Sequence, residues 1–502
     1  MNVSRFGSIL TRPFRLALAI VLFAAATLGA SRVTILHFND FHAQVMPYKV
    51  EKNDATPSAG LARLVHLLRS NRTADTLTLF AGDMLLGTEY STVFKGEAEF
   101  SILRGLVDFM TIGNHEFDYG ISTLEALRDK NAIPMLLANV SYRDGSRPYT
   151  RERFVIRTVN GVKVGLFGLL AENTPDETNP VNVRHLAFAS EVATARTMVQ
   201  ELKRQGAQVI VAMTHIGFTK DKALAAAVPG IDVIIGAHSH TMLPVGERIG
   251  NTLIAQANWG GSHLGKIVLE YDATSRRLVS SVASLIAATA ETPEDPAARA
   301  AIDVFKGKLD GKLNEVIGST GIHLDGERSH VRARETNLGN YIADVLCDAA
   351  GAEIALMNGG GIRASIERGQ IRIRDVQKVL PFNNTLQTIE LPGSALMKIL
   401  DRAARDAGGG GSFLQVSKDV NLVIRGKRLT QVLYQGRPIQ PDRIYKVATI
   451  DFLIVGGGGF VEFKEGRNIK AAGGLLSEVV IEAIRKAGTI RPRSEGRIDI
   501  TD

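Results

Sequence analysis

Residues Thr111–Gly120 read TIGNHEFDYG. Asn114 and His115 are adjacent, so one side chain can hold a metal while the next points into the space a substrate would fill. Asp118 lies three residues beyond His115, where its carboxylate can accept a hydrogen bond from the imidazole and fix the tautomer. Gly113 and Gly120 let the backbone turn sharply on either side. Alone, the stretch fits a loop with a polar cluster equally well, and its surroundings decide between the two readings.

Those surroundings alternate short apolar runs with helical patterns. Val33–Phe38 (VTILHF), Thr76–Phe80 (TLTLF), Val162–Leu170, Gln208–Ala212 (QVIVA) and Ile231–Ile235 (IDVII) read as strands, mostly apolar on both faces. Leu61–Leu68 and Glu191–Arg204 read as amphipathic helices between them. Apolar strands separated by helices predict a layered α/β domain with buried sheets.

The polar motifs fall at one edge of that frame. Asp40 and His42 follow the first strand, and Asp83 follows the second. Asn114 and His115 follow the run Phe109–Ile112, His215 follows QVIVA, and His238 and His240 follow IDVII. Each lies just past the carboxyl end of a strand, where open α/β sheets gather their ligands. Asp40-x-His42 and His238-x-His240 have the i,i+2 spacing that sends both side chains to one side of an extended backbone. Histidine, aspartate and one asparagine make a mixed nitrogen and oxygen set suited to manganese, zinc, iron or cobalt. Asp83, followed by the loop Met84–Gly87, can bridge two ions through its two oxygens. The remaining histidines, His37, His66, His185, His263, His323 and His330, are read as structural.

Composition narrows the function. The chain has 502 residues, enough for two or three domains, and 45% hydrophobic residues, ordinary for large globular cores. Arg5, Arg12 and Arg15 precede the apolar run Leu16–Leu28, a secretory leader pattern too short for a membrane span. Ala24 and Ala26 form one cleavage signal and Ala30 is a second candidate. Residues 1–30 hold three arginines and no acid, so their removal lowers the formal charge from +7 to +4. That balance, with no basic block interleaved with aromatics, argues against a nucleic-acid polymer as partner. The lone Cys347 allows no intrachain disulfide, and its apolar helical setting predicts a buried thiol.

The motifs LHFNDFHAQ (Leu36–Gln44), AGDMLLGT (Ala81–Thr88), IGNHEFDYG (Ile112–Gly120), MTHIG (Met213–Gly217) and IGAHSHT (Ile235–Thr241) resemble those of the calcineurin-like metallophosphoesterases. Over nearly the whole mature chain the sequence is similar to the secreted 5′-nucleotidase family, which includes UDP-sugar hydrolases and 2′,3′-cyclic phosphodiesterases. The resemblance implies two divalent metal ions, such as manganese or zinc. Asp40, His42, Asp83 and His240 would hold the first, and Asp83, Asn114, His215 and His238 the second. His115, paired with Asp118, would be the catalytic histidine. Such a pair of ions lowers the pKa of a bound water and polarises the phosphoryl oxygens. His115 would then stabilise the equatorial oxygens or protonate the leaving group.

The implied fold is a layered α/β/β/α metallophosphoesterase domain (31–290), a linker helix (291–316) and a smaller α/β substrate-binding domain (317–502), after the leader 1–30. ETPEDP (Glu291–Pro296) punctuates the chain, and Ala297–Val316 reads as a polar helix interrupted by Gly307 and Gly311. Beyond it, Leu338, Ile342, Leu346 and Ala349 form a helical stripe ending near Gly351. Glu353–Met357 reads as a strand, and NGGGIR (Asn358–Arg363) as a glycine-rich turn with no P-loop signature. VRARETNLGNYIADVL (Val331–Leu346), MNGGGIR (Met357–Arg363), LPFNNTL (Leu380–Leu386), FLQVS (Phe413–Ser417) and DFLIVGGGGF (Asp451–Phe460) resemble the family's C-terminal domain. The resemblance implies that Arg332 and Arg363 contact the phosphate end of a nucleotide, with Asn358 nearby, and that Phe382 and Phe452 sandwich the base. One position departs: Gly458 stands where the family carries an aspartate for the ribose hydroxyls. The run Gly408–Gly411 is read as a loop without chemistry.

The leading expectation is a secreted, periplasmic 5′-nucleotidase with a small nucleotide as substrate and no membrane insertion after leader removal. Cyclic-nucleotide or UDP-sugar hydrolysis would be side activities. Two alternatives are a hydrolase of sulfur oxidation that releases sulfate from a carrier-protein thiol, and a nucleotide-binding protein without turnover. Retention of the whole ligand and catalytic set speaks against the last. The resemblance also implies a domain rotation about the linker.

Overall fold

Phe38, Phe80 and Met110 are register partners in one sheet. The strand Ala30–Phe38 runs parallel to Thr76–Phe80, which runs parallel to Phe109–Met110. On its other side Ala30–Phe38 pairs antiparallel with His263–Asp272, and Arg277–Ala287 completes five strands. A second sheet of six strands has Val209–His215 between Val162–Leu170 and Val233–Ile235, all three parallel. The computed structural model describes residues 30–50, 56–146, 149–178, 180–382 and 384–501.

Side-chain alternation explains the layering. Val33 and Ile35 meet Leu166, Val211, Met213 and Ile235 in a core between the sheets. Leu36 and Phe38 point the other way, onto Leu64 and Leu68 of the helix Leu61–Asn71. On the far face of the second sheet, Ile210, Ala212 and Ile234 pack against Met198, Leu202 and Leu224, from the helices Glu191–Arg204 and Phe218–Ala227. The result is α/β/β/α, and strands apolar on both faces are what such a sandwich demands. Each fully buried aliphatic or aromatic side chain here contributes about 1.5–3 kcal/mol, which holds the strand ends still for the loops beyond them.

Thr76–Phe80, Val162–Leu170 and Glu191–Arg204 have the expected bounds. The helix at Leu61 continues to Asn71, and the strand expected at Ile231 begins at Val233. The strand Val209–His215 takes in three more residues than the apolar run, so His215 ends the strand instead of following it. Of the expected leader, residues 1–30, all but Ala30 lie outside the described residues, and Ala30 pairs with Asp272. Among the described residues no helix is long and apolar enough to cross a membrane.

The helix between the two halves is Pro296–Leu313, and Asp295 caps it by accepting from the Ala298 amide. It runs unbroken through Gly307 and Gly311, where an added side chain would meet open space. Ile302 and Leu309 join the helix-side core of the first sheet, so this helix is seated on the first half. The second half has one continuous core around a five-stranded mixed sheet, in the order 414–416, 354–358, 444–450, 385–392, 467–475. The expected stripe lies in the helix Asn337–Ala350, capped by Thr336 and ended by Gly351 at φ 53°. Cys347 is buried in this helix, as expected.

Candidate metal centre and active site

Because Phe38, Phe80 and Met110 are neighbours, the loops that follow them emerge side by side. The facing sheet ends beside them at His215 and Ile235. Asp40, His42, Asp83, His238 and His240 all have positive φ, between 49° and 75°. Side chains other than glycine rarely adopt this left-handed region, so five in one place mark a backbone held under strain to aim its side chains. Gly113 makes room for them, since a methyl there would land on the Asp83 carboxylate.

Three overlapping groups converge: Asp40 with His42 and His240, His42 with Asp83 and His115, and Asp83 with His215 and His238. His240 Nε2 lies 3.6 Å from Asp40 Oδ1 and 3.0 Å from His42 Nε2. His42 Nδ1 donates to the Leu86 carbonyl at 3.0 Å, so its Nε2 carries the lone pair. His215 Nδ1 donates to the Ala81 carbonyl at 2.9 Å. That leaves the fully buried His215 Nε2 without a hydrogen-bond partner, although Asp83 Oδ2 is 3.1 Å away. Asn114 donates from Nδ2 to the Glu177 carbonyl at 3.1 Å, which aims its Oδ1 at His238 Nδ1, also 3.1 Å away. Lone pairs of nitrogen and oxygen thus face one another across two adjoining spaces, with an orphaned buried nitrogen in one. This donor set fits two divalent cations of the manganese or zinc kind.

The geometry alters one expectation. Asp83 Oδ1 accepts the His115 amide at 3.0 Å, while Oδ2 alone faces both His215 and His42, the latter at 3.9 Å. Oδ1 is thus engaged by the backbone of the His115 turn, and Oδ2 is the oxygen that would serve a cation held with His215 or His42.

His115 stands at the mouth of this cluster. Its Nδ1 pairs with Asp118 Oδ2 at 2.7 Å, and Thr178 Oγ1 donates to Asp118 Oδ1 at 2.8 Å. Nε2 is the ring nitrogen left for the pocket. Burial opposes a charge on His115, but Asp83 and Asp118 outweigh it, and its pKa is raised to about 9. Burial likewise opposes charging of His215, and Asp83 prevails, raising it to about 10. His42, dominated by burial, is lowered to about 3 and stays neutral. Burial also lowers the unpartnered His37 to about 4, and His37 sits in the core away from the ligand groups, as read.

The pocket over the cluster is a cavity of about 700 Å³. Its first-half wall includes His42, Asn114, His115, Asp118, Glu177, His238, His240 and Trp259. Its other wall comes from the second half: Thr385, Gln387, Asp451, Ile469, Ala471 and Gly473. None of the five expected substrate residues lines it. Arg332, Asn358, Arg363 and Phe382 gather elsewhere on the second half. The Arg363 guanidinium lies 5.7 Å from the Phe382 ring centre, and Asn358 Nδ2 donates to the Gly411 carbonyl at 3.4 Å. Arg332 Nε and Asn358 Oδ1 are buried without partners. Burial, with the like charges of Arg328 and Arg363, lowers the Arg332 pKa, a setting that favours an anion. Phe452 packs its ring on Gly457, and Phe382 and Phe452 are 48% and 43% exposed. At Gly458, φ is 68° and the carbonyl accepts from Ser412 Oγ at 2.8 Å.

Residues 33–242 match the calcineurin-like phosphoesterase family, and residues 315–465 match the 5′-nucleotidase C-terminal domain. A 5′-nucleotidase of Homo sapiens is 31% identical over 96% of this chain and 93% of its own length. The chain belongs to the 5′-nucleotidase family. A trifunctional nucleotide phosphoesterase of Bacillus subtilis is 33% identical over 94% of this chain, which spans 35% of that longer protein. The crystal structure of a 5′-nucleotidase precursor from Thermus thermophilus, 30% identical, superposes with a TM-score of 0.59 over 93% of this chain and 99% of its own. The protein is a metal-dependent phosphoester hydrolase.

In this 5′-nucleotidase family member, several supporting residues escaped the sequence reading. Glu116 is buried and accepts from the amides of Asp83 at 2.8 Å, Met84 at 2.6 Å and Gly113 at 2.6 Å, pinning two ligand loops together. Asn39 donates to Asp40 Oδ2 at 2.6 Å and accepts from the Ala257 amide at 2.8 Å. Glu177 Oε1 lies 3.6 Å from His238 Nε2. Glu116 was the most findable, as an acid inside the motif with no basic partner in sequence. Glu177 comes from a short helix that no motif marks.

Proposed function

We propose that the protein is a 5′-nucleotidase in which Asp40, His42, Asp83 and His240 hold one divalent ion and Asp83, Asn114, His215 and His238 the other, with His115 and Asp118 catalytic. The observation that carries this reading is the orphaned Nε2 of His215 facing Asp83 beside a hydrogen-bonded His115–Asp118 pair. The ions, manganese or zinc, supply charge that polarises the phosphoryl group and acidifies a water. His115, oriented by Asp118 at Nδ1, presents Nε2 to the pocket and would carry the transferable proton there. As the water oxygen, its proton passed to solvent, bonds to phosphorus and the phosphorus–alkoxide bond breaks, the Nε2 proton goes to the leaving oxygen and His115 regains one from solvent, or it stays shared with a phosphoryl oxygen while solvent protonates the alkoxide.

Arg332, Asn358 and Arg363 bind the anionic end of the nucleotide, and Phe382 and Phe452 stack its base. These residues lie outside the pocket over the metal ligands, so the reading needs the second half (317–502) to turn about the linker (291–316) against the first (31–290). Identical scattering profiles with and without a bound nucleotide analogue would rule the turn out. Secretion to the periplasm belongs to the same proposal and rests on the leader pattern in residues 1–30.

The test is phosphate release from AMP, UMP, deoxy-AMP, 2′,3′-cyclic AMP, UDP-glucose and an aryl phosphate with manganese or zinc. AMP cleaved much faster than the aryl phosphate supports the nucleotidase. Equal rates on AMP and deoxy-AMP would place ribose recognition among the losses at Gly458. Turnover of the aryl phosphate alone would keep the metal chemistry and remove the nucleotide.

A further inference from the structure

One carboxylate joins the two segments that carry Phe382 and Phe452. Asp451 Oδ1 accepts the Phe452 amide at 2.7 Å and Asn384 Nδ2 at 2.9 Å, and its Oδ2 accepts Thr385 Oγ1 at 3.1 Å. Asn384 and Thr385 come two and three residues after Phe382. Phe452 is the second residue of the short helix Asp451–Ile454. The sheet explains why these segments meet. Thr385–Pro392 pairs antiparallel with Ile444–Ile450, and Leu386 is the register partner of Ile450. The segment entering the first strand and the helix leaving the second therefore share one end of the strand pair, and Asp451 bonds across that end. Both rings are exposed, so no surrounding core fixes them, and the backbone beneath each sets where it stands. Hydrogen bonds to a carboxylate are roughly twice as strong as neutral ones, and three on one side chain make a stiff joint.

We propose that Asp451 is a positioning residue for the aromatic pair, holding Phe382 and Phe452 in the spacing that admits a planar base. The inference rests on the stacking role given to these two residues in the proposed function. A gap held ready while empty binds its ligand without the cost of ordering the groups around it. The joint lies wholly within the second half, so it travels intact when that half turns. The base is remote from the reacting phosphorus, so a slackened gap should raise KM and leave kcat nearly unchanged.

The test compares Asp451→Ala, Asp451→Asn and Phe452→Ala with wild type in the full-length protein. One readout is kcat and KM on AMP and on ribose 5-phosphate, which keeps the sugar and the phosphoester but has no base. The other is calorimetric AMP affinity of the metal-free protein. Phe452→Ala should raise the AMP KM about tenfold or more and Asp451→Ala about fivefold, with matching losses of affinity. Turnover of ribose 5-phosphate should stay within about twofold in both. Asp451→Asn keeps an acceptor for the Phe452 and Asn384 donors, and Thr385 Oγ1 can accept from the new amide, so it should stay within about twofold of wild type. Equal losses on AMP and ribose 5-phosphate in Asp451→Ala would give Asp451 a role at the metal pocket or in folding and overturn the proposal. So would an unaltered AMP affinity, or an Asp451→Asn as impaired as Asp451→Ala. If Phe452→Ala left AMP affinity unchanged, the stacking assignment would fall and this proposal with it. If the wild type bound AMP in an Asp451-dependent way but released no phosphate from it, the nucleotidase reading would fall and this proposal would stand.

Discussion

Glu116 accepts the backbone amide of Asp83 at 2.8 Å, so the aspartate shared by two of the candidate metal groups is held in place by a carboxylate from the His115 turn. Glu116→Ala strands the buried amides of Asp83, Met84 and Gly113. At about 1–3 kcal/mol for each unpaired buried group, the expected loss is at least about 3 kcal/mol, read by chemical denaturation. Glu116→Gln keeps one acceptor oxygen but turns an NH2 group onto the amides served by the other, so it should recover only part of that loss. Equal stability of Glu116→Ala and wild type would show that the amides find other partners.

His115→Ala should lower kcat by about 10²–10⁴-fold on any phosphoester the enzyme turns over, with metal content unchanged. Asp118→Asn keeps the shape but not the charge, and should lose less. Metal analysis alongside the kinetics separates a lost catalytic group from a lost cation.

Cation binding should release a proton from His215. With protein charges alone its pKa stands at about 10, so at pH 7.5 the ring is charged, whereas a ligand imidazole must be neutral. Metal affinity should therefore rise with pH up to about 10. Calorimetry in two buffers of different ionisation enthalpy should show about one proton leaving at this site. Buffer-independent heats would contradict it.

Trp259, the only tryptophan, stacks on His240 with ring centres 5.9 Å apart and planes 16° off parallel. Its fluorescence should change when manganese or zinc is added to metal-free protein. The change should vanish in His240→Ala if it arises from this stacking.

Burial raises the Asp221 carboxyl to about 8, while Thr214 Oγ1 donates to its Oδ1 at 2.6 Å. In the unfolded chain the group titrates near 3.9, so folding takes up a proton between these values. The stability carried by the protonated form is complete below about pH 4 and is lost as pH rises through about 8, by up to about 1.4 kcal/mol per pH unit. Asp221→Asn keeps an acceptor for Thr214 and should flatten the fall in Tm between pH 5 and 8. Parallel curves for the two proteins would refute it.

The metal side of the site was legible because three constraints coincide in sequence. Strands buried on both faces show as unbroken apolar runs, chemistry collects at their carboxyl ends, and Asp40-x-His42 and His238-x-His240 pair their side chains in sequence, although left-handed φ at all four residues, not the expected extended backbone, aims them. Register then does the rest, as Phe38, Phe80 and Met110 show. What stayed hidden depends on the relative placing of the halves. Thr385, Gln387 and Asp451 face the metal pocket, yet belong to a strand and a turn whose local pattern is that of an ordinary sheet. Arg332 and Phe382 could be read as a substrate set from resemblance, but not their distance from His115, since no local rule fixes how two cores meet.

The strand Ala30–Phe38 lies between Thr76–Phe80 and His263–Asp272. A nascent chain still shorter than residue 272 cannot complete that sheet, however long the earlier strands have been outside the ribosome. The candidate ligands on Asp40, His42 and Asp83 thus follow strands whose sheet is closed only by residues beyond the last of those ligands, so chains truncated before His263 should lose metal binding.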